Sequence, residues 1–178
     1  MDKINDDILI AARNGSLKAF DQLVLFYQKA IYNHLYRLTN NADDASDLTQ
    51  STFIKLYKTK DRINESENFN SYLYKIATNT AYDFLKKKKD HPEDLIIDDD
   101  NFNFETIEVE QQYYKVENIN KIDLDAALSK IKLANKNILL LYYHEGLSYE
   151  EISKVLNKPL NTVKTLLHRA KQELLKNY

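Results

Sequence analysis

The chain has 178 residues, 43% of them hydrophobic, with 25 Lys or Arg against 27 Asp or Glu for a net charge of -2. That content can bury one moderate core or two small ones and exerts no global pull on nucleic acid, so any basic footprint must be local. The absence of cysteine excludes disulfides, thiolate metal sites and thiol nucleophiles, and fits a reducing cytoplasm.

There is no secretory apolar segment and no run long enough to cross a bilayer, so membrane insertion is not expected. Only two glycines and two prolines occur, and β-branched residues recur at helical rather than alternating spacing. The fold class predicted is therefore all-α.

Asn5 to Asn14 reads as a short helix ended by Gly15. Ser16 caps a longer one with Leu17, Phe20, Leu23, Val24, Tyr27, Ile31, Leu35 and Leu38 on its apolar side. Asn40 and Asn41 break it. The next helix, Ala42 to Lys58, puts Ala45, Leu48, Thr52 and Leu56 on one face and Asp43, Asp47, Gln50, Ile54 and Lys58 on the other. An isoleucine in that polar stripe leaves two readings open, a solvated face with one stray apolar residue or a docking stripe anchored by Ile54.

Asp61 to Asn70 is a polar loop. After it, Leu73, Ile76, Ala77, Thr80, Ala81 and Phe84 are read as inward-facing, and Tyr72, Lys75, Asn79, Tyr82 and Lys86 as outward-facing. Tyrosines interleaved with lysines can stack on unpaired bases while the cations follow the backbone. Equally, such tyrosines can lie flat on a neighbouring helix, and lysines at a helix end favour its dipole. Between Glu93 and Glu110 the chain turns acidic with no Lys or Arg, which reads as a linker. Its apolar residues, Leu95, Ile96, Ile97, Phe102 and Phe104, suit a segment that orders against a basic partner. Asp123 is then placed as the cap of a helix carrying Leu124, Ala127, Leu128 and Ile131. A single helix from Leu133 to Glu145 follows, with His144-Glu145 as its end.

The most informative stretch is Leu147 to Lys176. Ser148 and Glu151 have capping-box spacing, Ile152, Val155 and Leu156 face inward, and Asn157 suits a left-handed stop before Pro159 in the next first turn. Val163, Leu167, Ala170 and Leu174 fall in a narrow arc, while Asn161, Thr165, His168, Arg169, Gln172 and Lys176 point away from it. A polar outer face alone would be an ordinary solvated helix. The short turn, the capped helix before it and a third apolar helix ending at Gly146 favour a trihelical DNA-binding unit.

Three stretches, in this order, resemble the extracytoplasmic-function group of bacterial sigma-70-type transcription initiation factors. Asp44 to Tyr57, DASDLTQSTFIKLY, is similar to that family's polymerase-clamp helix, with a DLxQxxF core at Asp47, Leu48, Gln50 and Phe53. FNSYLYKIATNTAYDFLKKKK resembles the segment that opens and reads the minus-10 element, and LSYEEISKVLNKPLNTVKTLLHRAK the segment that reads the minus-35 element.

The resemblance implies a region 2-like helical domain at 1–90, an acidic linker at 91–119 and a region 4-like helix-turn-helix domain at 120–178. It implies that Asp43, Asp47, Gln50 and Ile54 meet core RNA polymerase. Tyr72, Lys75, Asn79, Tyr82 and Lys86 would lie along the downstream single strand, with the Asp61 to Asn70 loop holding an extruded base. Asn161, Lys164, Thr165, His168, Arg169 and Lys171 would meet the upstream duplex. The linker would thread the polymerase's cationic RNA channel, and an anti-sigma factor is an expected partner. Two departures stand out. Asn157 and Asn161 replace the family's frequent glycines, and Thr165-Leu166 replaces its usual serine-arginine pair.

No enzyme is expected: His34, His91, His144 and His168 are scattered, and the two glycines form no phosphate loop. Neither a cofactor, a metal nor a small-molecule substrate is expected. The rival readings are a stand-alone dimeric helix-turn-helix regulator, which predicts palindromic sites, and an adaptor that binds protein alone.

Overall fold

The computed structural model describes residues 4–63, 68–88 and 121–177. All regular structure among them is helical. Helix α1 spans Asp6–Arg13, α2 Leu17–Thr39, α3 Ala42–Lys58 and α4 Phe69–Lys88. A second group contains α5 Lys121–Lys130, α6 Leu133–Leu139, α7 Tyr149–Leu156 and α8 Leu160–Asn177. The linker assigned to 91–119 lies outside the described residues, as do residues 64–67 of the Asp61 to Asn70 loop.

Side-chain caps set the boundaries of the first group. Asn5 accepts from the Asp7 amide at 2.9 Å, Ser16 from Ala19 at 3.3 Å and Asn41 from Asp44 at 2.9 Å. Each satisfies an amide that the helix itself leaves unpaired. Asn40 closes α2 in the left-handed region at φ 57°, its N–H donating to the Tyr36 carbonyl at 2.7 Å. Two asparagines thus turn the chain from α2 into α3 without glycine.

The core of this group is built by Leu9 and Ala12 of α1, Leu23, Tyr27, Ile31 and Leu35 of α2, Ala45, Leu48 and Leu56 of α3, and Leu73, Tyr74 and Ala77 of α4. Burying each larger side chain contributes about 1.5–3 kcal/mol. Tyr27 also donates its hydroxyl to Asn70 at 2.8 Å, fixing the start of α4 against α2. After α3 a 3-10 turn, Lys60–Arg62, brings Ile63 into the core, so the loop read as wholly polar is pinned by one apolar residue.

The second group differs from expectation at two points. Asp123 lies inside α5, so it is not the cap. The helix expected from Leu133 to Glu145 becomes α6 followed by a π turn, Leu140–His144, closed by the Glu145 amide donating to the Leu140 carbonyl at 3.0 Å. The apolar pattern is the same in either geometry. Such π insertions are frequent at functional sites. Gly146, at φ 69°, then redirects the chain into α7. Ile138, Leu141, Ile152, Val155, Val163, Leu167 and Ala170 form the core of this group. Glu173 of α8 anchors α6 by accepting from the Lys132 amide at 3.2 Å and from the Asn135 side chain. The two groups pack together, α7 on α4 and α6 on α2.

Candidate nucleic-acid and polymerase interfaces

Helix α7 starts on a full capping box: Ser148 Oγ accepts from the Glu151 amide at 3.2 Å, and Glu151 Oε2 from the Ser148 amide at 2.6 Å. It stops at Asn157, left-handed at φ 52°. Ser153 Oγ donates to the Lys158 carbonyl at 2.5 Å, and the Lys158 amide to the Ser153 carbonyl at 3.1 Å, bracing the turn from both sides. Pro159 sits just before α8, its carbonyl accepting from the Val163 amide at 3.0 Å. The missing proline N–H falls where no helical bond is required.

On α8, Val163, Leu167 and Ala170 are buried, whereas Asn161, Lys164 and His168 are exposed and Thr165, Arg169 and Lys171 partly so. Thr165 Oγ1 donates to the Asn161 carbonyl at 3.1 Å, and His168 Nε2 lies 3.0 Å from Gln172 Nε2. Lys171 leans over the Tyr143 ring at 5.3 Å, off the crest of the helix. Leu166 is 7% exposed, so this chain has a core side chain where the family's arginine is usual.

Asp43, Asp47, Gln50 and Ile54 form one exposed stripe on α3, with Ile54 55% exposed and its neighbour Phe53 buried. Asp43 and Asp47 make no ion pair among the described residues. The pairs that tie α3 to α4 use other groups, Lys88 with Asp44 at 2.7 Å and Lys55 with Asp83 at 3.6 Å.

The α4 set is not uniformly outward. Asn79 and Lys86 are exposed, and Lys75 partly so. Tyr72 turns back to donate to Thr59 Oγ1 at 2.8 Å. Tyr82 is half-buried beneath the second group, where Asn137 Nδ2 donates to its hydroxyl at 3.1 Å. Burial pushes the Tyr82 hydroxyl up to about 12, against a smaller lowering from the Asn137 bond. The outward reading of Tyr72 and Tyr82 is thus corrected: both rings lie on neighbouring structure.

Sequence reading missed the most deeply placed polar cluster. Glu145, taken as a plain helix end, is 8% exposed and receives the Tyr74 hydroxyl, while His144 Nδ1 lies 3.0 Å away. His34, fully buried on α2, has Nδ1 3.5 Å from the same carboxylate, with neither ring nitrogen in a hydrogen bond. Burial alone would raise the Glu145 carboxyl. Contact with His34 and its charge, the Tyr74 hydrogen bond and the His144 charge outweigh this and hold it below its usual value. Burial, then the charge of Glu145, pushes the Tyr74 hydroxyl up, so it stays protonated and donates. The available signal was His34 itself, a lone imidazole on the arc of Tyr27, Ile31 and Leu38. Among the described residues no His, Asp and Glu cluster is arranged to hold a metal, and no helix is long and apolar enough to cross a membrane.

A braced helix-turn-helix packed against a helical bundle that carries an exposed acidic stripe is an arrangement suited to binding DNA. Residues 23–91 match the family model of sigma-70 region 2, and residues 121–174 that of sigma-70 region 4. The ECF RNA polymerase sigma factor SigW of Bacillus subtilis (strain 168) is 31% identical over 173 residues, covering 92% of this chain and 91% of that protein. The ECF RNA polymerase sigma factor SigE of Mycolicibacterium smegmatis is 33% identical over 161 residues, covering 90% of this chain and 62% of that protein. Among solved structures, CnrH in complex with the cytosolic domain of CnrY shares the fold at a TM-score of 0.69 and 19% identity, covering 95% of this chain and 93% of that one. The sigma factor RpoE in complex with the anti-sigma factor NepR from Bartonella quintana gives a TM-score of 0.67 at 24% identity, covering 90% and 97%.

The chain belongs to the extracytoplasmic-function group of sigma-70 family RNA polymerase sigma factors. It directs core RNA polymerase to promoters for transcription initiation.

Proposed function

We propose that this sigma factor acts through three surfaces on three pieces of chain: a helical domain at 1–90, an acidic linker at 91–119 and a helix-turn-helix domain at 120–178. Asp43, Asp47, Gln50 and Ile54 bind the polymerase clamp. Tyr72, Lys75, Asn79, Tyr82 and Lys86 serve the minus-10 strand, and Asn161, Lys164, Thr165, His168, Arg169 and Lys171 the minus-35 duplex. The observation that carries this reading is the braced turn from α7 to α8, which leaves Asn161, Lys164 and His168 exposed on one helix. Amides and imidazoles there suit base edges, and the cations suit phosphates.

The protein works without catalysis of its own, in the cytoplasm, where polymerase and promoter are found. Because two related folds were solved as complexes with CnrY and with the anti-sigma factor NepR, an anti-sigma factor is the proposed regulator. Adding the purified protein to core RNA polymerase and sequencing the transcripts tests the three-surface reading. Specific starts preceded by two separated elements are expected. Binding to palindromic duplexes without any polymerase requirement would instead indicate a stand-alone regulator.

A further inference from the structure

The outer face of α8 sorts by chemistry. At about 100° per residue, Asn161, Thr165, His168 and Gln172 fall within an arc of roughly 60°. That crest carries no Lys or Arg. The cations stand to its sides, Lys164 and Lys171 on one and Arg169 and Lys176 on the other. Laid in a major groove, a helix divided in this way points neutral hydrogen-bonding groups at base edges and cations toward the phosphate walls.

The groups on the crest are not equally available. Gln172 Nε2 lies 3.0 Å from His168 Nε2, which ties these two side chains to each other. Thr165 Oγ1 commits its hydrogen to the Asn161 carbonyl at 3.1 Å, so what it offers a base is its methyl. Asn161 is exposed in the first turn, and its carboxamide has no hydrogen bond to any described residue. Leu166 is in the core, so no guanidinium reaches out from the turn between Asn161 and His168. Asn161 is the free bidentate group in the part of the helix that enters a groove first.

Groove chemistry then assigns bases. Arg and Lys pair with O6 and N7 of guanine, whereas an asparagine carboxamide, one acceptor beside one donor, matches N6 and N7 of adenine. A threonine methyl packs on the methyl of thymine. Both groups therefore favour A·T pairs. Four residues separate Asn161 from Thr165, or ~6 Å along the helix axis, which is close to two base steps of about 3.4 Å.

We propose that Asn161 reads an adenine of the upstream element and Thr165 the methyl of a thymine within two steps of it, so that this chain selects A·T pairs there. The proposal rests on the assignment of α8 to the upstream duplex. The adenine contact belongs to this chain, since the glycine frequent at this place in the family has no side chain to make it.

Full-length protein and core RNA polymerase are given promoters in which the upstream element is randomised, and the transcripts identify the templates used. The unmodified protein should select adenine over guanine roughly tenfold at one position and thymine at another within two steps. Asn161→Ala should flatten the first position alone, and Thr165→Ser, which keeps the hydroxyl, the second alone. Both side chains lie outside the core, so neither variant is at risk of unfolding. Base analogues separate contact from fold. Replacing the selected adenine by 7-deazaadenine, which lacks N7, should lower use of the template by the unmodified protein but not by Asn161→Ala. Replacing the selected thymine by uracil, which lacks the methyl, should do so for the unmodified protein but not for Thr165→Ser. An unchanged profile in both variants, an equal response of protein and variant to the analogue, or selection of guanine at the position Asn161 controls overturns the proposal. No preference at any upstream position, with downstream preference retained, would sink the assignment of α8 itself and the proposal with it.

Discussion

Few side chains on α8 are placed to neutralise phosphate, so each one counts. Lys171 lies over Tyr143, Arg169 is partly covered and Leu166 is in the core, which leaves Lys164 as the exposed cation near the start of the helix. Lys164→Ala is expected to weaken upstream-element binding by holoenzyme and to lower the slope of log affinity against log salt by about one. Titration at several salt concentrations checks this, and an unchanged slope would remove Lys164 from the phosphate contacts. At this scale the sequence was legible wherever a residue's role is local. Asn157 and Asn40 stand in the left-handed region, and the polar asparagine side chain makes that affordable. Glu145 was not legible, because its partners His34 and Tyr74 lie 111 and 71 residues away and no local pattern names them.

Among the elements, α7 is the one whose existence depends most on its ends. It has only eight residues, too short to be stable by propensity, and two of its first-turn amide problems are solved by Ser148 and Glu151. Ser148→Ala should cost about 0.5–2 kcal/mol, read as a drop in thermal midpoint with faster hydrogen exchange at the amide of Glu151. Asn68, just ahead of α4, also donates to Glu151, so the loosening should reach the start of α4. Undisturbed exchange in α7 would show that tertiary packing alone carries the helix. The capping box was readable because both of its partners sit three residues apart. The π turn was not: Leu140 and Leu141 are buried in it, and an apolar run does not tell an added residue per turn from a regular one. Asp123 was misread by the same limitation, since it resembles a cap in sequence yet lies within α5.

At the scale of the whole molecule, periodicity shows which face of a helix is apolar but not what covers the other face. The outer side of α4 was therefore read as open although Asn137 rests on Tyr82, a pairing across 55 residues. The stripe on α3 is the opposite case, read as polar with one isoleucine and standing exposed in the fold. Nothing in the chain covers Ile54 or pairs Asp47 among the described residues. An apolar anchor ringed by carboxylates and an amide is the composition of an interface core with a polar rim. Ile54→Asp combined with Asp47→Lys places a desolvated charge at the anchor and reverses the rim. Central anchors of interfaces cost about 2 kcal/mol or more when lost, so affinity for core polymerase should fall roughly 30-fold or further. Circular dichroism should be unchanged, because both side chains are exposed. Full affinity in the double variant would move the polymerase interface off α3, whereas lost affinity with native helicity would place that interface on this stripe.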